Sequence, residues 1–362
     1  MGKTSQFLKR QGIEISLRRY GIDALGAMAQ GLFCSLLIGT ILDTLGTQLS
    51  LDFLVQVGEY ASAMSGPAMA IAIGWALKAP PLVLFSLATA GYAANALGST
   101  TLDGGAGAGG PLAVLFIAIL AAEAGKAVSK LTKVDILVTP LVTILVGVGL
   151  SALLAPAIGT AATAVGGFVM LATDLQPFLM GVVVSVVIGV ALTLPISSAA
   201  ICAAFGLTGL AGGAAVAGCC ANMVGFAVLS FRENRWGGLV SQGLGTSMLQ
   251  MGNIVKNPRI WLPAILTSAI TGPLATCVFH FQMNDPAGGV AAGMGTCGLV
   301  GPIGVYAGWV ADVAAGVKQA ITAMDWIAMA LLCFLLPGLL SWAFGLLFRR
   351  LGWIRPGDLT LD

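Results

Sequence analysis

Ionisable residues that could take part in chemistry are rare in this sequence and lie in apolar surroundings. Glu123 precedes Lys126 by three positions, a spacing that places two side chains on one helix face and allows an ion pair. Asp312 lies in the apolar run VADV with no cation beside it. Charged groups inside apolar segments are costly and often functional. We therefore predict a local ion pair for Glu123 and Lys126, either at a membrane interface or in a coupling site, and a ligand or ion contact for Asp312.

Neutral polar side chains concentrate at 243–253, where hydroxyl and amide groups break the apolar pattern. Such groups donate and accept hydrogen bonds and suit polyhydroxy ligands, although a plain connecting loop has the same composition. A glycine-flanked threonine, the single histidine of the chain and the isolated aspartate complete a candidate site. The predicted ligand-binding residues are Thr208, Thr246, Ser247, Gln250, Asn253, His280 and Asp312.

Other kinds of site are excluded by what the sequence contains. The seven cysteines form no CxxC pair, and a single histidine cannot assemble a metal centre or a Ser-His-Asp triad. The chain has no GxxxxGK[ST] motif. We therefore predict no metal, no cofactor, no nucleic-acid partner and no self-contained catalytic site.

The elements that must position these residues are apolar helices. The chain of 362 residues is 57% hydrophobic and 9% charged, and a helix of about 20 apolar residues spans a bilayer. We predict an all-α polytopic transmembrane protein with eight to ten spans. The clearest spans are 22–42, 60–77, 80–98, 111–128, 135–158, 178–204, 260–281 and 326–348. Glycine and proline break two further apolar stretches, 205–230 and 286–316, for which we predict re-entrant hairpins.

The placement of charge predicts the orientation. Basic residues lie before the first span and after the last, so both ends are predicted to be cytoplasmic. We divide the chain into a cytoplasmic amphipathic N-terminal helix (1–20), a transmembrane domain (21–349) and a cytoplasmic tail (350–362). The predicted outer loops carry acids instead: Asp43, Asp52, Glu59, Asp103, Asp174 and Asp285.

Several stretches resemble a known family. Residues 109–159 combine a Gly/Ala-rich helix with the lysine-containing turn 126–133 and the run VDILVTPLV at 134–142, and residues 257–263 read NPRIWLP. These features resemble enzyme IIC, the membrane subunit of bacterial sugar phosphotransferase systems. The nearest resemblance within that superfamily is to the compact single-domain branch that includes perfringolysin regulator-like proteins.

The sequence departs from the family at two positions. The sugar carriers of the family place a glutamate in a Gly-x-x-Glu-Pro loop, whereas residues 243–248 here read GLGTSM. They also carry a histidine in a glycine-bounded turn, whereas residues 206–209 read GLTG. Both departures keep hydroxyl groups and remove ionisable ones, so binding of a neutral ligand is retained and acid–base assistance of phosphoryl transfer is put in doubt.

The resemblance implies a function. It implies a permease component in the bacterial cell membrane that binds and translocates a sugar or polyol by alternating access. It also implies a homodimer, and soluble phosphoryl-carrier subunits as partners. Two alternatives stay open: a membrane sensor or regulator that kept the carrier scaffold and lost phosphoryl transfer, and an ion-coupled secondary transporter using Asp312 or Glu123.

Overall fold

The computed structural model describes residues 3–16, 18–173, 176–284 and 289–361. The structure is 79% helical, and these residues contain no strand. Eight helical segments are long and apolar enough to cross a membrane, which confirms the all-α polytopic prediction. They are Arg19–Thr47, Pro81–Gly98, Gly110–Val128, Asp135–Val165, Gly209–Leu229, Pro258–Val278, Cys297–Ala314 and Ala323–Arg350. Two acids of the predicted outer loops, Asp174 and Asp285, lie outside the described residues.

The chain divides into two compact units, Met1–Ala162 and Thr163–Asp362. In the first, helix Ile38–Leu49 packs against Asp52–Ala63. Helix Pro81–Gly98 packs against both Ser65–Ala76 and Gly110–Val128. The N-terminal helix is shorter than the predicted 1–20, because Gly12 adopts a φ of +67° after its last turn. The helices from the start of the chain are α1 (Lys3–Arg10), α2 (Ala24–Leu32), α3 (Ile38–Leu49), α4 (Asp52–Ala63), α5 (Ser65–Ala76), α6 (Pro81–Gly98), α7 (Gly110–Val128) and α8 (Asp135–Thr173), which continues past the boundary.

The second unit is built around one central helix, Gly209–Leu229. Its neighbours are the helices Pro177–Thr193, Leu262–Pro273 and Leu336–Arg350. Its helices are α9 (Pro177–Thr193), α10 (Ser198–Ala204), α11 (Gly209–Leu229), α12 (Phe231–Val240), α13 (Met251–Lys256), α14 (Leu262–Pro273), α15 (Val300–Ala314), α16 (Ala323–Ala330) and α17 (Leu336–Arg350). Short 3₁₀ or π-helical segments adjoin several of them, at Ser241–Gly245, Ser247–Gln250, Pro258–Trp261, Leu274–Val278, Val290–Gly293, Cys297–Leu299 and Leu331–Leu335.

The re-entrant hairpin predicted for 205–230 is wrong, because α11 is one continuous helix. Its glycines do not break it; they let neighbouring helices approach. The second broken stretch, 286–316, does contain two short 3₁₀ turns, with Leu299 at a φ of +62° before α15 begins. Whether that stretch returns to the side it entered from stays a prediction.

Two predicted spans are interrupted. The 178–204 span ends at Thr193, because Leu194 takes the extended conformation that a following proline favours, and α10 begins four residues later. The 60–77 span is divided at Met64 between α4 and α5. Polar side chains therefore lie at helix ends inside the second unit, where backbone direction changes.

Close contact of α9 with α14 depends on Gly272. A Cβ atom at this position would meet the carbonyl oxygen of Gly181 and the side chain of Ser185, and backbone cannot move aside cheaply. We expect Gly272→Ala to lower the free energy of unfolding by about 1–3 kcal/mol, as overpacking does in other cores. Gly149→Ala is the control, since a Cβ there meets nothing within 4 Å. Denaturation of both purified variants in detergent measures the difference, and equal stabilities would contradict the packing argument.

Candidate functional site

Ser247 lies in the 3₁₀ turn Ser247–Gln250 and is fully buried. Its hydroxyl is 2.8 Å from that of Thr193, the last residue of α9. The turn before it, Ser241–Gly245, packs against α11 and against the Cys297–Leu299 turn. The structure therefore brings two of the predicted polar segments, 243–253 and 293–302, into one neighbourhood at the side of α11.

Asn222, in the middle of α11, connects this hydroxyl pair to α14. Its Oδ1 accepts hydrogen bonds from Trp261 Nε1 at 3.0 Å and from the Thr193 hydroxyl at 3.3 Å. Its Nδ2 donates to the Ser268 hydroxyl at 3.1 Å. The hydroxyl and amide groups of this cluster belong to four fully buried residues: Thr193, Asn222, Ser247 and Ser268. A connected polar network inside an apolar helix packing is costly unless every member is paired, as it is here.

A second amide cluster lies on the other side of the same turn. Gln250 donates from Nε2 to Gln242 Oε1 at 2.9 Å and accepts at Oε1 from Asn253 Nδ2 at 2.9 Å. Gln242 in turn donates to the Ser230 hydroxyl at 2.8 Å. Gln250 and Gln242 are fully buried, and Asn253 is nearly so. Of the predicted site residues, Gln250 and Asn253 therefore contact each other, whereas Ser247 belongs to the Asn222 cluster.

Thr246 has a local structural task. Its Oγ1 accepts a hydrogen bond from Met248 N at 3.1 Å and caps the turn that holds Ser247 and Gln250. The residue is buried. Thr246 therefore positions its neighbours through the backbone.

Asp312 is linked to the start of α11 through Asn284. Asn284 donates from Nδ2 to the Asp312 carboxylate at 2.8 Å, and its Oδ1 accepts from Gly209 N at 3.1 Å. Gly209 also exchanges two backbone hydrogen bonds with Met283. Thr208 is the residue before this contact, and its side chain is exposed. Asp312 itself is half-buried.

His280 does not join either polar cluster in the described structure. It is exposed and has a φ of +44°, at the turn that follows Leu274–Val278. A left-handed backbone at a non-glycine residue marks a sharp change of direction. His280 therefore lies at the chain reversal that leads to the Met283 bridge.

The predicted ion pair between Glu123 and Lys126 is present in the first unit, with an N–O distance of 3.0 Å. The Lys126 side chain is 1% exposed, so protein groups surround its ammonium group, and the position of the pair at a membrane interface stays a prediction. Lys126 Nζ also donates to Leu77 O at 3.1 Å, a carbonyl that Arg19 contacts as well. Tyr20 donates its hydroxyl to Glu123 at 3.1 Å. The pair is a buried structural network, and the charge of Lys126 is held by protein groups.

Sequence reasoning missed five polar residues that the structure places in these clusters: Thr193, Asn222, Gln242, Ser268 and Asn284. Asn222 carries a detectable signal, since an amide in the middle of a long apolar helix needs a partner in the protein. The others are ordinary hydroxyl or amide residues without such a signal, and only the fold brings them together.

Two features define the class of this protein: membrane-spanning helices throughout, and buried neutral hydroxyl and amide clusters where broken segments meet the central helix of one unit. It is a multi-pass membrane protein with an internal polar site. The family model of the phosphotransferase system EIIC matches residues 22–361, and the chain belongs to that family. It is thus a membrane permease component of a phosphotransferase system. The comparison with curated proteins found no match, and neither did the comparison with solved structures.

Within the described residues, the structure has no cluster of three His, Cys, Asp or Glu side chains that could hold a metal ion. Residues 241–250 carry no charged side chain. The groups around α11 can donate and accept hydrogen bonds but cannot exchange protons at neutral pH. The chemistry that this site supports is therefore recognition of a neutral ligand.

Proposed function

We propose that this chain binds a neutral sugar or polyol beside α11 and carries it across the bacterial plasma membrane by alternating access. The observation that supports the proposal most strongly is the Ser247–Thr193–Asn222 cluster, which holds neutral hydroxyl and amide groups in a buried position between helices. A sugar hydroxyl matches such groups as both donor and acceptor. The family of the chain, whose members serve sugar phosphotransferase systems, points to the same class of ligand.

The proposed binding region lies between the 241–250 segment and the 290–299 segment. Broken segments at membrane depth are tolerated where they are buried in protein or line a cavity, and transporters use them to hold substrates. Thr246, Ser247 and Gln250 contribute from the first segment. Asn253, Thr208, His280 and Asp312 remain proposed contributors to ligand binding or to the path of the ligand, with Asp312 acting through its contact with Asn284.

Phosphorylation of the ligand requires partners under this proposal. Residues 243–248 supply hydroxyl groups but no carboxylate that could accept a proton from a sugar hydroxyl. A soluble phosphoryl-carrier subunit would have to bring both the phosphoryl group and the proton acceptor. We also propose cytoplasmic termini, from the charge distribution, and a homodimer, from the family.

A ligand that binds only the native state raises its thermal stability, by about 2.7 kcal/mol at a concentration of 100 Kd. We expect one sugar or polyol from a panel to produce a saturable rise in the unfolding temperature of the detergent-purified protein. Ser247→Ala should weaken the binding of that ligand by about 1 kcal/mol, the net contribution of one hydrogen bond. Ser99→Ala is the control, since Ser99 is exposed in the first unit.

A shift that Ser247→Ala leaves unchanged would place the ligand elsewhere. A complete lack of shifts across a panel that stabilises a known sugar carrier would contradict the transport proposal. It would then favour a membrane sensor or regulator, an alternative already supported by the missing carboxylate at 243–248. Flux that depends on sodium or pH, and not on phosphoryl donors, would favour an ion-coupled transporter.

A further inference from the structure

The segment that follows α17 returns to the second unit and packs on it. Ile354 and Leu359 are 2% and 0% exposed, although the residues around them are mostly in contact with solvent. A local turn shapes the segment: Gly357 has a φ of +91°, and the Asp358 carboxylate accepts a hydrogen bond from Arg355 N at 2.9 Å. Two apolar anchors and a turn therefore define the docked segment, residues 353–361.

Four side-chain amides hold this segment by its backbone. Asn234 makes two bonds, donating from Nδ2 to Leu359 O at 2.8 Å and accepting at Oδ1 from Leu361 N at 2.9 Å. Gln250 also donates to Leu359 O, at 3.0 Å. Asn253 donates to Thr360 O at 2.8 Å. Recognition of backbone groups by paired amides depends on the shape of a peptide and hardly on its side chains.

Asn257 completes the row of amides. It donates to Trp353 O at 2.9 Å and to the Asp358 carboxylate at 2.8 Å. Main-chain hydrogen bonds combined with burial of one side chain are the means by which proteins bind peptides, and here the fully buried side chain is that of Leu359. We call the row formed by Asn234, Gln250, Asn253 and Asn257 the amide face.

The docked segment lies largely at the surface of the second unit. Its amide partners are neutral, and Leu351, Gly352, Trp353, Arg355, Pro356, Gly357 and Thr360 are exposed. A pocket of about 270 Å³ lies between the segment and 256–259, so the packing is incomplete there. Arg355 lines this pocket together with two other basic residues, Lys256 and Arg259. A largely exposed segment with two buried apolar anchors is of the kind that opens locally.

We propose that the amide face is a peptide-binding site, which residues 353–361 occupy in cis and leave reversibly. Its ligand is a turn-forming peptide with a leucine anchor, recognised through its backbone. While the segment is docked, both Nδ2 hydrogens of Asn253 and both Nε2 hydrogens of Gln250 are used. No other ligand can take these donors until the segment leaves. This site goes beyond the proposed sugar site, with which it shares Gln250 and Asn253, and its own contacts require no sugar.

The test uses the full chain with the Leu359→Asp substitution, which places a charge at a fully buried position and so releases the segment. Leu351→Asp is the matched control, because Leu351 is 54% exposed. The probe is a fluorescent synthetic peptide with the sequence of residues 351–361, measured by anisotropy in detergent. We expect it to bind the Leu359→Asp chain at least tenfold more tightly than the unmodified chain or the control, in which the site is occupied. The same peptide carrying aspartate at the position of Leu359 should not bind.

Two results would overturn the proposal: no saturable binding to a Leu359→Asp chain that keeps a cooperative thermal transition, or equal binding of the aspartate peptide. If Leu359→Asp does not fold, hydrogen exchange of the unmodified chain decides. The Leu361 amide, bonded to Asn234, should then exchange at least tenfold faster than amides in the middle of α11. Equal protection would make the segment a permanent part of the core. Neither readout uses a sugar, so failure here leaves the proposed transport function untouched.

Discussion

Replacing Lys126 with methionine is expected to destabilise the protein by about 3–5 kcal/mol, the usual effect of removing one partner of a buried ion pair. The side chains of Lys126 and Glu123 are 1% and 15% exposed, and their charged atoms are 3.0 Å apart. Without the ammonium group, the Glu123 carboxylate keeps a hydrogen bond from Tyr20 but loses its counter-ion. The Leu77 carbonyl loses one of its two donors. Denaturation in detergent, followed by circular dichroism, measures the change.

The double variant Glu123→Gln/Lys126→Met separates the pair from its packing. Removing both charges is often nearly neutral, because neither group is then buried without a partner. We expect the double variant to recover most of the stability that the single one loses. Lys133→Met is the control for loss of an exposed lysine, and it should change stability by less than about 0.5 kcal/mol. Equal losses in the single and double variants would mean that the two charges are not coupled.

The same pair shows how far sequence reasoning reaches. Helix periodicity places Glu123 and Lys126 on one face, and the ion pair follows from that spacing alone. The other partners are Leu77, which is 49 positions from Lys126, and Tyr20, which is 103 positions from Glu123. Local patterns carry no information about such contacts. The burial of Lys126 by distant parts of the chain therefore cannot be read from one helix.

Glycine is ambiguous in a sequence of this composition. In 205–230 it was interpreted as a break, whereas in α11 it allows backbone contact: a Cβ at Gly218 would meet the Ser185 carbonyl. Proline is ambiguous too: α9 ends at Thr193, inside the predicted span 178–204 and two residues before Pro195, whereas Pro140 and Pro156 lie within α8. Hydropathy predicts where helices lie because bilayer thickness sets their length, and it does not distinguish a small residue that bends a chain from one that admits a neighbour.

The contacts of the candidate site depend on the fold for a similar reason. Polar composition identified 243–253, and the structure does bury Ser247 and Gln250. Their partners are Thr193 on one side and the Leu359 carbonyl on the other, both far away in sequence. One four-residue turn therefore takes part in two separate polar clusters. A list of polar residues could suggest a single pocket but could not show this division.

Asn222→Ala is expected to have the largest effect on the proposed sugar site and to lower the free energy of unfolding by about 3–5 kcal/mol, since each buried group left unpaired costs about 1–3 kcal/mol. Trp261 Nε1 loses its acceptor, and the hydroxyls of Thr193 and Ser268 lose a partner. Thr193 also positions the Ser247 hydroxyl. Any sugar-induced rise in unfolding temperature should therefore be absent in the Asn222→Ala variant. The control, Asn95→Ala, should retain the rise, because the contact of the Asn95 side chain with Ser65 is long, at 3.4 Å.

A double-mutant cycle with Trp261→Phe tests whether the loss arises from the network. Phenylalanine removes the indole donor and keeps most of the ring, so the pair shares one interaction, the 3.0 Å hydrogen bond to Asn222 Oδ1. Residues joined in one buried network show coupling energies of about 0.5–3 kcal/mol. We expect a coupling in that range from chemical denaturation of the four proteins. Additive losses would mean that water replaces the Asn222 amide, and the α11 cluster would then be a hydrated cavity in place of a closed network.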